Sequence, residues 1–227
     1  MLKTTMTVIT AGAAILATGL WAQEETPDHR LRSAASVLRE TMNAPDRGIP
    51  RDLLEKAQCV VIVPGLKKAA FVVGGDYGRG YAVCRHGAEW TGPAAIKFGG
   101  GSFGPQIGVE STDIIMLVMD RKGAENLMRD KFTVGADASA AAGPVGRTTS
   151  ADTDASLHAE ILTWSRAHGV FAGVSLDGTV VSKDGGEDRK IYGSEVENRA
   201  ILHGDVPPPA VAGVLTSVLA QYPKVRG

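Results

Sequence analysis

Residues 99–104, GGGSFG, carry two overlapping patterns that could do chemistry. Gly100-Gly101-Ser102-Phe103-Gly104 matches G-x-S-x-G, the turn that presents the serine of an α/β-hydrolase. Asp113, Asp152 or Asp154 followed by His158, His168 or His203 would complete the chain order of such a triad. Gly99, Gly101 and Gly104 also spell G-x-G-x-x-G, whose use is to hold a pyrophosphate on the first amides of a helix. Both chemistries need a helix to begin immediately after the motif, but Pro105 and Gly108 interrupt the chain there and the next run, Ile114 to Met119, reads as a strand. The nucleotide reading is therefore dropped, and a serine hydrolase using Ser102 is kept only as the lesser alternative. The glycines instead suggest a bend where backbones crowd.

Other candidates are sparser. There is no H-E-x-x-H and no P-loop lysine motif, and the five histidines are not paired at metal-ligand spacing, so no metal or cofactor is expected. The acidic run Asp184 to Asp188 does not fit the calcium-loop series and reads as a solvated turn. Cys59 and Cys84 lie at strand edges, where they would form either a disulfide or two buried thiols. Lys67 and Lys68 fall in a connection between strands, either as a solvated turn or as a basic pair facing an anionic head group. With 24 basic and 25 acidic side chains, bulk attraction to nucleic acid is not implied.

The elements that would position these residues follow from periodicity. Leu31, Ala35, Leu38 and Met42 mark one face of a helix over 26–42, begun by Pro27 and stopped by Pro45, with Arg30, Arg32 and Arg39 mostly elsewhere on it. Such a helix packs on its own core or lies on a membrane. A short helix comes next over 50–57. Strands are expected at 59–63, 69–73, 80–85, 94–98 and 114–119, with a helix over 122–130. The small-residue stretch 132–147 permits close backbone approach, and further strands run at 161–166, 170–176 and 179–183. Asp177-Gly178 joins the last two as a hairpin. A closing helix runs from Pro207 to Tyr222.

Lys3, the apolar run Val8 to Leu20 and Ala22 read as a signal peptide cleaved near Ala22, leaving one domain over 23–227. That leader implies an exported, periplasmic protein. At 44% apolar and 5% aromatic composition with 28 glycines, the chain suits an α+β fold. Its strongly bent, mainly antiparallel sheet would close toward a barrel, packed by N- and C-terminal helices.

Three segments, VIVPGLKKAAFVVGGDYGRGYAVCR, GGGSFGPQIGVESTDIIMLVMD and FTVGADASAAAGPVGR, in this order and at these intervals, resemble the SYLF domain family over about 35–222. Pro105 departs from the apolar residue common there. The resemblance implies a non-enzymatic phospholipid-binding protein of the bacterial cell envelope, with an amphipathic, basic N-terminal helix as its membrane contact. Carried over residue by residue, that role falls on Arg30, Arg32 and Arg39, with Leu31, Leu38 and Met42 entering the interface, and secondly on Lys67 and Lys68. Actin binding by eukaryotic relatives is not carried over to a periplasmic chain. The alternative is an envelope-assembly protein whose helix packs on its own sheet and has no lipid affinity.

Overall fold

A computed structural model describes residues 25–44, 48–145, 159–167 and 169–223, with side chains outside 69–74 and 102–109. The expected signal segment, Asp152, Asp154, His158 and His168 lie outside the described residues. The architecture is α+β, as expected: a strongly curled, mixed sheet forms a half-barrel flanked by helices. Helices α1 (Pro27–Asn43) and α2 (Arg51–Lys56) precede strands β1 (Cys59–His86), β2 (Glu89–Trp90) and β3 (Ala94–Val118). Then come α3 (Arg121–Leu127), β4 (Lys131–Thr133), β5 (Ala140–Ala142), β6 (Ile161–Ala167), β7 (Val170–Gly173) and β8 (Val180–Lys183). Helices α4 (Gly185–Tyr192) and α5 (Asn198–His203), a 3-10 turn (Ala210–Ala212) and α6 (Gly213–Leu219) complete the described chain.

The first five expected strands are parts of two long ones, three in β1 and two in β3. β1 and β3 pair antiparallel from Cys59↔Val118 to Ala82↔Ala94, with register shifts between Val63 and Leu66 and between Phe71 and Val72. Pro64-Gly65 therefore does not end a strand; it sits at a bulge, where proline's missing donor is tolerated. Likewise the glycine-rich run is not a loop between strands but backbone paired with 72–77. This ribbon then folds over on itself. Arg85 N–H donates to Gln58 O at 2.8 Å, and Cys59 is disulfide-bonded to Cys84. Glycine is required at the crossing: a Cβ on Gly80 would lie 2.1 Å from Ile62 O, and one on Gly78 would meet Val63 and Leu66.

Both sheet faces are buried, which explains the unbroken apolar runs CVVIV and IIMLV. Val60, Ile62, Ile115 and Leu117 face one way, against Leu31 and Leu38 of α1, Leu54 of α2 and Leu215 and Leu219 of α6. Their neighbours Val61, Val63, Ile114 and Met116 face the other, with Leu127, Phe132, Ile201 and Leu202. On one flank β6 pairs with β3, and β5 and β7 share its outer edge, β5 in the sheet's parallel pairing. On the other flank β8 bridges β3 and β4. The expected hairpin of β7 with β8 does not form, because β7 joins β6 and β8 joins β3; Asp177-Gly178 makes only a local turn, with Gly178 at φ 82°.

The acidic run 184–188 is also not a solvated turn. Asp184 caps α4 by accepting the Glu187 N–H, and Gly193 ends the helix at φ 74°. Among the described residues no helix is long and apolar enough to cross a membrane.

Candidate functional site

α1 is begun by Thr26, whose hydroxyl accepts the His29 N–H, and by Pro27 in its first turn. Its apolar stripe of Leu31, Ala34, Ala35, Val37 and Leu38 is buried in the protein's own core. Three expected interface residues are thereby corrected. Leu38 has no exposed surface, so it packs on the sheet rather than reaching outward. Arg30 is 4% exposed and ion-paired with Glu187 of α4 and with Glu25 at 3.3 Å. Leu31, like Leu38, is fully buried, and Met42 packs partly buried against the same core.

The remaining cations are at the surface. Arg32 is exposed and pairs with Asp28 at 2.8 Å; the hydrogen bond between them draws the Asp28 carboxyl below its usual range. Arg39 is exposed seven residues on, hence on the same side of α1. Lys67 is exposed and Lys68 half-buried in β1. The structure brings Lys67 beside α1: a groove of about 400 Å³ lies between Ser33, Ser36, Val37 and Glu40 on one wall and Pro64, Gly65 and Lys67 on the other.

Arg166 of β6 braces that groove. It pairs with Glu40 of α1 and, at 2.7 Å, with Asp113 of β3, while Asp113 also accepts the Gly65 N–H at 2.8 Å. Hydrogen bonds from Ser36 and then Arg166 hold the Glu40 carboxyl below its ordinary range. Of the groove's acids, Glu40 and Asp113 are thus matched by Arg166 and Glu25 by Arg30 and His29, whereas the Lys67 ammonium donates only to the Ser111 hydroxyl, at 2.9 Å, among the described residues. The arrangement offers an anion one ammonium and neighbouring hydroxyls.

Ser102 is placed by its backbone alone: it pairs with Gly74 inside β3, so the strand-to-helix turn that a nucleophilic serine needs is not formed there. Cys59 and Cys84 form the disulfide.

The family model described as "Ysc84: Las17-binding protein actin regulator" matches residues 99–222. The chain belongs to this family. The SYLF resemblance is thereby borne out, since Ysc84 and SYLF name one family. "SH3 domain-containing YSC84-like protein 1" of Rattus norvegicus is 30% identical over 198 residues, covering 84% of this chain and 58% of the relative. "SH3 domain-containing protein PJ696.02" of Schizosaccharomyces pombe is 35% identical over 185 residues, 80% of this chain and 43% of that one. "LAS seventeen-binding protein 3" of Saccharomyces cerevisiae is 34% identical over 171 residues, 73% and 37%. The chain spans about half the length of these relatives.

A second charged assembly, which the sequence reading missed, is built on three acids that lie within the Ysc84 match. Asp184, Glu187 and Asp188 are 1%, 1% and 0% exposed. Arg79 of β1 and Lys97 of β3 hold Asp184, at 2.5 and 3.1 Å. Tyr81 donates to Glu187 at 3.1 Å, and Asp188 accepts the Ala95 N–H at 2.7 Å. Burial raises the Asp184 carboxyl, but Arg79 and Lys97 outweigh it and the net shift is downward. The D-x-x-E spacing of Asp184 and Glu187, with Gly193 beyond, is the cap signal that would have revealed α4.

Proposed function

We propose that this chain is a non-enzymatic phospholipid-binding protein of the bacterial cell envelope, exported to the periplasm. The observation that carries the reading is the groove that sets Lys67 beside α1, the helix whose exposed side carries Arg32 and Arg39. Lipid phosphate would meet Lys67 and the Ser111 hydroxyl, with Arg32 and Arg39 as flanking cations, whereas Lys68, next in the strand, lies on the opposite face. The apolar stripe of α1 stays in the core, so binding is electrostatic contact at the bilayer surface rather than insertion. The Cys59–Cys84 disulfide supports an oxidising compartment.

Vesicle co-sedimentation tests this. The mature protein should pellet with phosphatidylglycerol vesicles, less so as salt rises, and weakly with phosphatidylcholine. Each cation near an anionic surface contributes about 1 kcal/mol. Neutralising Arg32, Arg39 and Lys67 together to Gln should therefore weaken partitioning by about a hundredfold. Unchanged pelleting of that variant would overturn the placement, and no pelleting of the parent would overturn the function.

The family description favours a second reading, a protein-binding module of the Las17 and actin type. Pelleting with filamentous actin, but not with vesicles, would establish it in place of the lipid reading.

A further inference from the structure

β8 ends its pairing with β3 at Lys183↔Ile96, and α4 takes over at the next residue of β3. Asp184 N–H donates to Ala95 O at 2.9 Å, continuing the ladder by one bond. The Ala95 N–H, which would have gone to a further residue of β8, is taken by the Asp188 carboxylate instead, at 2.7 Å. Asn198, at the start of α5, donates its Nδ2 to the same Ala95 O at 3.1 Å. An extended residue points its N–H and C=O to the same side, so Asp188 and Asn198 meet Ala95 from one side.

Each of these side chains then has one oxygen left over. Asp188 Oδ2 and Asn198 Oδ1 are both buried, and neither has a hydrogen-bond partner among the described residues. Two acceptors cannot satisfy each other. One added proton would convert the Asp188 carboxylate into a donor, the group that Asn198 Oδ1, held at the same Ala95, lacks.

We propose that Asp188 and Asn198 share a single proton, making the junction of β3, α4 and α5 a pH-sensitive lock. When the proton leaves for solvent, the carboxylate and the amide oxygen are left buried without a donor, and the junction loosens.

The charges around the lock favour the protonated form. On α4, Asp184 is matched by Arg79 of β1 and Lys97 of β3, and Glu187 by Arg30 of α1 with a hydrogen bond from Tyr81 of β1. These cations are committed to the other two acids. Tyr192 gives its hydroxyl proton to Pro93 O, at 3.0 Å. Burial first, and then the charges of Asp184, Glu187 and Glu197, push the Asp188 carboxyl up to about 7, against a single opposing hydrogen bond from Ala95.

The side-chain carboxyl carbon of Asp188, followed by NMR in the whole mature protein, is the direct test. Its midpoint is expected about pH 7, not in the ordinary range about pH 4. Between about pH 4 and pH 7 the hydrogen-exchange protection of the Ala95 amide should fall in the parent, and level off above. Asp188→Asn, which keeps an acceptor for Ala95 and supplies a permanent donor to Asn198, should retain it. A midpoint near pH 4 would overturn the proposal, as would an Asp188→Asn protein whose Ala95 protection falls with pH as the parent's does. Should Asp188→Asn fail to fold, the parent's carbon titration decides alone.

Discussion

Glu187→Ala tests what holds α1 on the sheet. The Arg30 and Glu187 side chains are 5% and 1% exposed, so the pair has little solvent to fall back on. Removing Glu187 strands a buried guanidinium whose remaining carboxylate, Glu25, stands at 3.3 Å and is 40% exposed. It also takes an acceptor from Tyr81, whose hydroxyl keeps Pro27 O at 3.3 Å. Breaking one side of a buried pair costs about 3–5 kcal/mol, against a whole-domain stability of about 5–15 kcal/mol. At about 2–4 °C per kcal/mol for a chain of this size, Tm should fall by about 6–20 °C. The double variant Arg30→Met/Glu187→Leu removes both charges while filling the space, so most of the loss should be recovered. Urea unfolding at pH 7 of parent, singles and double measures the coupling. A Glu187→Ala cost below about 1 kcal/mol, or singles that simply add, would refute the reasoning. Because the proposed lipid contact uses α1 docked, Glu187→Ala should also lower vesicle binding. Higher binding would mean that a freed apolar face enters the bilayer.

Three further outcomes rest on particular contacts. Asp188 has a folded-state pKa raised to about 7. Its proton therefore adds stability fully below about pH 4 and loses that contribution as pH rises through about 7. Asp188→Asn should accordingly gain on the parent between those limits, by at most about 4 kcal/mol, and hold the gain at higher pH; a pH-independent difference in urea midpoints would contradict this. Reducing the Cys59–Cys84 bond, which spans 25 residues, should cost about 3–4 kcal/mol, read as a lower urea midpoint with reductant than without. Gly143→Ala puts a Cβ 2.0 Å from the buried Trp164 ring, and should lower stability by about 1–3 kcal/mol or more; an unchanged Tm would show that the ring can move aside.

Local chemistry carried much of the fold into the sequence. The stripe Leu31, Ala35, Leu38 gave α1, and the apolar runs gave the cores of β1 and β3. The run of small residues indicated close backbone approach, and a Cβ on Gly173 would lie 2.3 Å from Gly143 O. What periodicity could not give was strand continuity, because Pro64-Gly65 and the glycines of 74–80 punctuate a strand as they would a turn. Only the pairing partner distinguishes the two. α4 was missed because its signal is a cap rather than an apolar stripe: of its eight residues only Ile191 is a buried hydrophobic.

The candidate site shows the same limit in its charges. Arg30 and Arg32 are two residues apart and look equivalent in sequence, yet one is 4% exposed and the other fully at the surface. Two residues on a helix are about 200° apart, so the same spacing that puts Arg32 outward turns Arg30 onto the sheet. A buried guanidinium is tolerable only where a carboxylate meets it, and that carboxylate, Glu187, comes from 157 residues away. Its long-range partner, not its type, therefore makes Arg30 part of the scaffold. Arg32 pairs four residues back on its own helix, a contact that surface water screens and a phosphate can displace. The charges accordingly divide between a buried network that holds α1 and an exposed set, Arg32, Arg39 and Lys67, on which the proposed anion contact rests. Exchanging Arg30 should change stability first, and exchanging the surface set should change binding alone.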